Sequence, residues 1–210
     1  MSTYRKIALL ILASLVVFQT VWFVLNNQVT DKPLKAIPEG FVPFDPSLQI
    51  SDFNLNNQKR ELVTKRFFKE QWSIVFLGFS RCNHVCPVSL AVINSAIKDM
   101  PSGLKGQVQG VFVTVDPDYD TVDRMKDYLK GFNSGITGLT GPLNEIHKLS
   151  RSIKADFTSM KSGESDMDHS PAVFVINPNA EVIGVFPYAD KPSAISGFLK
   201  TRLKQGGEIL

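Results

Sequence analysis

Both cysteines of the chain, Cys82 and Cys86, fall in the stretch "GFSRCNHVCPVSL", Gly78 to Leu90, separated by Asn83, His84 and Val85. A pair this close serves one of three chemistries. It forms a local disulfide, it exchanges electrons with a partner's thiols, or it holds a soft metal ion. Proline suits the first position of a helix, where its missing N–H would have had no partner. Pro87 therefore predicts a helix starting there, with Cys86 near the N-cap and Cys82 in the preceding loop. Thiols beside a helix N-terminus ionise more readily, and both exchange and metal binding need the thiolate. Thioredoxin-type exchange typically uses two intervening residues. The wider loop here can place two sulfurs around one ion, and it can also close a disulfide where the β-carbons approach to about 3.5–4.5 Å.

A third ligand has to come from elsewhere in the chain. The sequence has three histidines. His147 lies mid-helix in "LNEIHKLSRSI", among apolar positions, and reads as structural. His84 is inside the cysteine loop and reads as solvent-facing. His169 stands in "SDMDHSPAVFVI", directly before an apolar run, at a junction that can lie beside the cysteine turn. Two thiolates and an imidazole suit copper in either oxidation state, or zinc, although zinc ordinarily takes a fourth ligand. Met160 and Met167 precede His169; thioethers suit Cu(I), but an ordinary packing or surface role is the simpler reading for each.

The elements that must carry these residues alternate in type. "WSIVFLGF" (Trp72 to Phe79) is almost wholly apolar, as a strand covered on both faces should be. A helical stripe follows through Val88, Ala91, Val92, Ile93, Ala96 and Ile97. "VQGVFVTVD" (Val108 to Asp116) predicts a second buried strand, and "TVDRMKDYLKGF" a helix capped by Asp120 or Thr121. "GITGLTGPLNEIHKLSRSIKADF" gives a short strand and a helix starting near Pro142. "AVFVINPNAEVIGVFPY" gives a hairpin turning at Asn177-Pro178-Asn179-Ala180, and "PSAISGFLKTRLKQ" a final amphipathic helix. With an N-terminal hairpin around "LQISDFNLNNQKRELV", the order β-α-β-α-β-α-β-β-α implies a mixed sheet with helices on both faces. Ligand chemistry in open sheets gathers beyond the carboxyl ends of parallel strands. Cys82 and Cys86 follow Phe79 at that place.

The N-terminus sets the compartment. Ile7 to Leu25 carries no charge and, as a helix, would be about 28 Å long, close to the bilayer's hydrocarbon thickness. No small-x-small cleavage site follows it, so an uncleaved single-pass anchor at 7–25 is expected rather than a signal peptide. Arg5 and Lys6 then hold residues 1–6 in the cytoplasm and place the rest on the extracytoplasmic side of the cytoplasmic membrane, or in an organelle's equivalent. Residues 26–47, with Pro33, Pro38, Pro43 and Pro46, read as a semi-extended linker. The remaining 48–210, about 160 residues, suit one domain with its own core. A net charge of +3, unclustered, gives nucleic-acid binding no support.

"VFLGFSRCNHVCPVSL", "VFVTVDPDYDT", "GITGLTGP" and "DMDHSPAVFVINPNAEV", in that order, resemble the Sco/SenC family of membrane-anchored, thioredoxin-like copper-binding proteins. The resemblance spans roughly residues 48–200. It implies that Cys82, Cys86 and His169 are the ligands of one Cu(I) or Cu(II). It also implies a partner, the copper-site subunit of cytochrome c oxidase or another copper acceptor, to which the protein delivers copper. A thiol–disulfide oxidoreductase using Cys82 and Cys86 on a partner's cysteines is the alternative. A peroxidase or redox sensor also shares the fold, but no arginine or threonine environment for a peroxidatic cysteine can be placed. Where the family commonly has Pro and Asp between its cysteines, this chain has Asn83 and His84, exchanging a negative charge for a pH-sensitive group. Pro171 stands where thioredoxin-fold oxidoreductases carry a cis-proline facing their cysteines. Asp116 is a candidate to orient a ligand from behind, and Asp168 reads as a loop residue.

Overall fold

The computed structural model describes Ser14, Leu15, residues 17–19, 39–132, 135–155, Phe157, 172–188 and 190–204. The expected anchor at 7–25 lies outside these apart from Ser14, Leu15, Val17, Phe18 and Gln19, which are helical. Among the described residues no helix is long and apolar enough to cross a membrane. His169, Asp168, Met160, Met167 and Pro171 also lie outside the described residues.

One eight-stranded sheet organises the domain. Its strands are β1 (Val42–Gln49), β2 (Leu55–Asn57), β3 (Leu62–Val63), β4 (Trp72–Gly78), β5 (Val108–Thr114), β6 (Ile136–Thr140), β7 (Val173–Ile176) and β8 (Glu181–Phe186), and they lie in the order β1-β8-β7-β4-β5-β6-β2-β3. β4, β5 and β6 run parallel; the other pairings are antiparallel. The helices are α1 (Val85–Lys98), α2 (Val122–Leu129), α3 (Leu143–Ser152) and α4 (Pro192–Lys204). The predicted order from Trp72 onward and the mixed sheet with flanking helices are both found.

Every residue of β4 is buried, which is why its sequence is continuously apolar. The register puts Ile74, Phe76 and Gly78 on the same face as Gly110, Phe112 and Thr114. That face is covered by α1, α2 and α4. A methyl group on Gly110 would sit 3.1 Å from Ile93 of α1, one on Gly138 would strike Met125 and Leu129 of α2, and Trp72 meets Phe198 of α4 edge-on. On the other face, Leu77, Val115 and Phe174 line an apolar cavity of about 380 Å³ with Lys154, Ala155 and Phe157, just beyond α3. Each fully buried Phe or Leu in these layers contributes about 1.5–3 kcal/mol.

Both hairpins use one device. Asn57 and Asn177 each accept, through Oδ1, two backbone N–H groups two and four residues on, and each donates from Nδ2 to the glutamate four residues on. Arg60 and Ala180 take positive φ to complete the turns, at 67° and 63°.

Three expectations are corrected. The N-terminal hairpin is shorter than 48–63, comprising only β2 and β3. Leu48 and Gln49 belong instead to β1, which pairs with β8 at the opposite edge of the sheet. β1 begins at Val42, inside the segment read as linker. Its prolines, Pro43 and Pro46, are tolerated because it is an edge strand whose register with β8 breaks between Pro43 and Leu48. Finally, α1 starts at Val85 with His84 at the N-cap, so Cys86 and Pro87 lie within the first turn. Proline fits there too, because none of the first turn's N–H groups has an intrahelical acceptor.

Candidate functional site

The cysteine loop leaves the carboxyl end of β4 and is held by the loop that follows β5. The Cys82 N–H donates to the Phe79 carbonyl at 3.2 Å. Ser80 gives its backbone N–H (2.9 Å) and its hydroxyl to the carboxylate of Asp120, which also accepts the Thr114 hydroxyl at 2.6 Å. Arg81 gives Nη2 (2.5 Å) and Nε (3.1 Å) to Asp116, and its guanidinium lies 4.4 Å from the Tyr119 ring, which also carries Arg124 at 3.9 Å. The residues immediately ahead of Cys82 are thus tied to two carboxylates four positions apart in "DPDYD".

Asp120 does not cap α2. It is fully buried, and Thr121 takes the cap, its hydroxyl accepting from the Arg124 N–H. Asp116 is largely buried and holds the arginine next to Cys82, so its carboxylate positions the loop.

The cysteines are thiols in unequal settings. Cys82 is partly exposed and Cys86 fully buried. The Cys86 N–H donates to the Cys82 sulfur at 3.4 Å, and the two side chains are within hydrogen-bonding reach of each other. Partial burial pushes the Cys82 thiol up. The backbone N–H groups of Cys86, His84 and Val85, with the Cys86 thiol, outweigh that and hold it below the usual thiol range. This is the helix N-terminus at work. Burial pushes the Cys86 thiol far up; the Phe79 backbone opposes this, while Cys82 and the Asp120 carboxylate add to it.

Gly78 makes the packing possible: a β-carbon there would lie 2.7 Å from the Cys86 sulfur, 2.9 Å from Phe76 and 3.1 Å from Phe112. Phe112 in turn packs on Tyr128 of α2 at 5.8 Å between ring centroids, and the Tyr128 hydroxyl is buried with no hydrogen-bond partner among the described residues.

Of the sequence-predicted residues, the structure brings Cys82, Cys86 and Asp116 into one region. His84 is exposed at the N-cap with no side-chain capping bond. His147 stacks on Phe157, centroids 4.6 Å apart and planes 6° from parallel, which is the structural role expected of it. Among the described residues no three of His, Cys, Asp or Glu gather as a metal cluster. Sequence reasoning missed Ser80, Arg81, Gly78 and Tyr128. Asp116 and Asp120 were visible as a motif, but their partners were not.

A family model described as SCO1/SenC matches residues 44–204. This chain belongs to the SCO1/SenC family. Among its relatives, "Protein sco1" of Schizosaccharomyces pombe is 30% identical over 162 residues, covering 73% of this chain and 62% of that protein. The mitochondrial "Protein SCO2 homolog" of Bos taurus is 32% identical over 133 residues, covering 61% and 50%. This SCO1/SenC chain therefore spans less than two thirds of the length of these curated relatives. Two solved structures align over nearly their whole length: copper-bound ScoI of Bradyrhizobium japonicum (29% identity, TM-score 0.64, 73% of this chain, 98% of that one) and copper-bound ScoI of Arabidopsis thaliana (27%, 0.66, 74% and 98%). The thioredoxin-like expectation for this SCO1/SenC domain agrees with both.

Proposed function

We propose that the protein carries one copper ion as cargo for assembly of the binuclear copper site of cytochrome c oxidase, holding it through Cys82, Cys86 and His169. The observation that carries the reading is the thiol pair itself. Two soft donors touch at a helix N-terminus whose N–H groups hold the Cys82 thiol below the usual range, and Cys82 faces solvent where a partner can reach it. The copper-bound ScoI relatives support the identity of the metal. Cys86 supplies an anchored sulfur and Cys82 an accessible one, an asymmetry suited to release by ligand exchange. The acceptor is the copper-site subunit of the oxidase, or another copper-accepting protein. The uncharged run at 7–25 supports a single-pass anchor, with the domain on the extracytoplasmic (periplasmic) side.

Titration of the reduced protein with Cu(I) and Cu(II) tests this. One equivalent should bind, with a thiolate-to-Cu(II) charge-transfer band. His169→Ala should weaken binding while leaving circular dichroism unchanged. A wild-type protein that binds no copper sinks the proposal, and undiminished binding in the variant removes His169 from the site.

The unequal thiols also favour a second reading, reduction of a partner's disulfide. The Cys82 thiolate attacks one partner sulfur, the other leaves as a thiolate and takes a proton, and Cys86 then displaces the mixed disulfide. The partner ends as a dithiol and the protein as a Cys82–Cys86 disulfide, which a further dithiol must reduce. This reading prevails if Cys86→Ser abolishes function in cells while His169→Ala does not.

A further inference from the structure

The cavity just beyond α3, on the sheet face opposite α1, has apolar walls and a single charge. Phe44, Phe157 and Phe174 line it with rings and Leu77 and Val115 with branched chains, while Lys154 is the one polar side chain in its described lining. Its volume of about 380 Å³ lies within the range of about 300–1,000 Å³ that small ligands occupy. Leu77 immediately precedes Gly78, which faces the Cys86 sulfur, and Val115 precedes Asp116, which holds Arg81. The cavity therefore lies against the strand ends that carry the thiol loop.

Lys154 stands in a strained position. It closes the end of α3, its N–H donating to the Arg151 carbonyl at 3.1 Å and the Ala155 N–H to the Ser150 carbonyl at 2.9 Å. Its φ of 57° is in the left-handed region that favours glycine, and glycine is the usual residue at this point of a helix. The chain instead puts a cation here. The ammonium lies 5.7 Å from the centroid of the Phe44 ring, and no carboxylate among the described residues pairs with it. The ring attracts the cation but does not neutralise it.

We propose that this cavity binds a medium-chain fatty carboxylate, with its tail against the phenylalanine rings and its head group on the Lys154 ammonium. An aliphatic tail buries apolar surface without stranding a polar group, and the carboxylate supplies the opposite charge. A cationic amphiphile would meet like charge at the same place. The inference takes from the proposed function only the anchor at 7–25, which keeps the domain near a bilayer where single-chain amphiphiles concentrate, and it does not rest on copper.

The test is photolabelling of the full chain in phosphatidylcholine nanodiscs at mildly alkaline pH. The probe is a ten-carbon fatty acid with a diazirine on its tail, and peptide mass spectrometry reads the labels. Peptides containing Phe44, Phe157 and Phe174 should be labelled above the bilayer background on residues 7–25. Decanoate should compete for those labels and decyltrimethylammonium should not. Lys154→Gly removes the ammonium and relieves the backbone, so it should unfold at or above the wild-type temperature. It should nevertheless need about threefold to tenfold more probe for half-maximal labelling of the cavity. Lys154→Arg should label as the wild type does, and Val185→Phe, which fills the cavity from β8, should lose the labels. Labels confined to residues 7–25, equal competition by the two amphiphiles, or undiminished labelling of Lys154→Gly would each overturn the site.

Discussion

The carboxylate of Asp120 accepts both the backbone N–H and the hydroxyl of Ser80, two residues ahead of Cys82, while lying fully buried behind the cysteine loop. Hydrogen bonds to a charged acceptor contribute about 1.5–3 kcal/mol each, and losing one strands a buried donor. Asp120→Asn keeps an acceptor oxygen but turns an amide NH₂ toward groups that themselves donate. It should lower unfolding free energy by about 2–4 kcal/mol, measured by urea denaturation of the reduced protein. Ser80→Ala should cost less. The double variant should fall short of the sum, because the two residues share one network.

Gly78 tests the packing of the buried sulfur. A methyl group there meets the Cys86 sulfur, Phe76 and Phe112 all at 3.1 Å or less, so something must move. Overpacking of this kind costs about 1–3 kcal/mol. The rings are wedged in the core, so the sulfur should yield. Gly78→Ala is expected to weaken Cu(I) binding about tenfold, equivalent to about 1.4 kcal/mol, as read by competition against a chromophoric chelator. A variant that loses stability yet binds copper normally would show that the sulfur of Cys86 does not need its present seat.

Much of this frame was legible because burial writes itself into composition. β4 is apolar throughout since both of its faces are covered, and the helical stripe after Cys86 is the buried side of α1. The turn at Asn177 announced its hairpin. β1 was not legible: Pro43 and Pro46 have the composition of a linker, and only the position of the strand at a sheet edge makes them acceptable. Nor were the ties from Asp116 to Arg81 and from Asp120 to Ser80, which join segments 35 and 40 residues apart. The aspartates stood out in the sequence, but nothing local says which loop they hold. Tyr128 followed the apolar face of α2 three residues after Met125, indistinguishable from an ordinary packing residue.

The two thiols should separate sharply in reactivity. Cys82 is partly exposed, and backbone donors at the start of α1 hold its thiol below the usual range; Cys86 is buried and pushed up. Alkylation proceeds through the thiolate, so its rate follows the ionised fraction multiplied by access. A lowered value means that Cys82 ionises at lower pH than an ordinary thiol does. Its rate should therefore level off at lower pH than that of a small-molecule thiol. Iodoacetamide applied to the reduced, metal-free protein at neutral pH, followed by peptide mass spectrometry, should label Cys82 at least about tenfold faster than Cys86. Cys86→Ser should leave Cys82 reactive, since the backbone N–H groups that stabilise its thiolate remain. Equal labelling of both cysteines, or preferential labelling of Cys86, would overturn the assignment of Cys82 as the accessible sulfur, and with it the view that partners approach the pair from the Cys82 side.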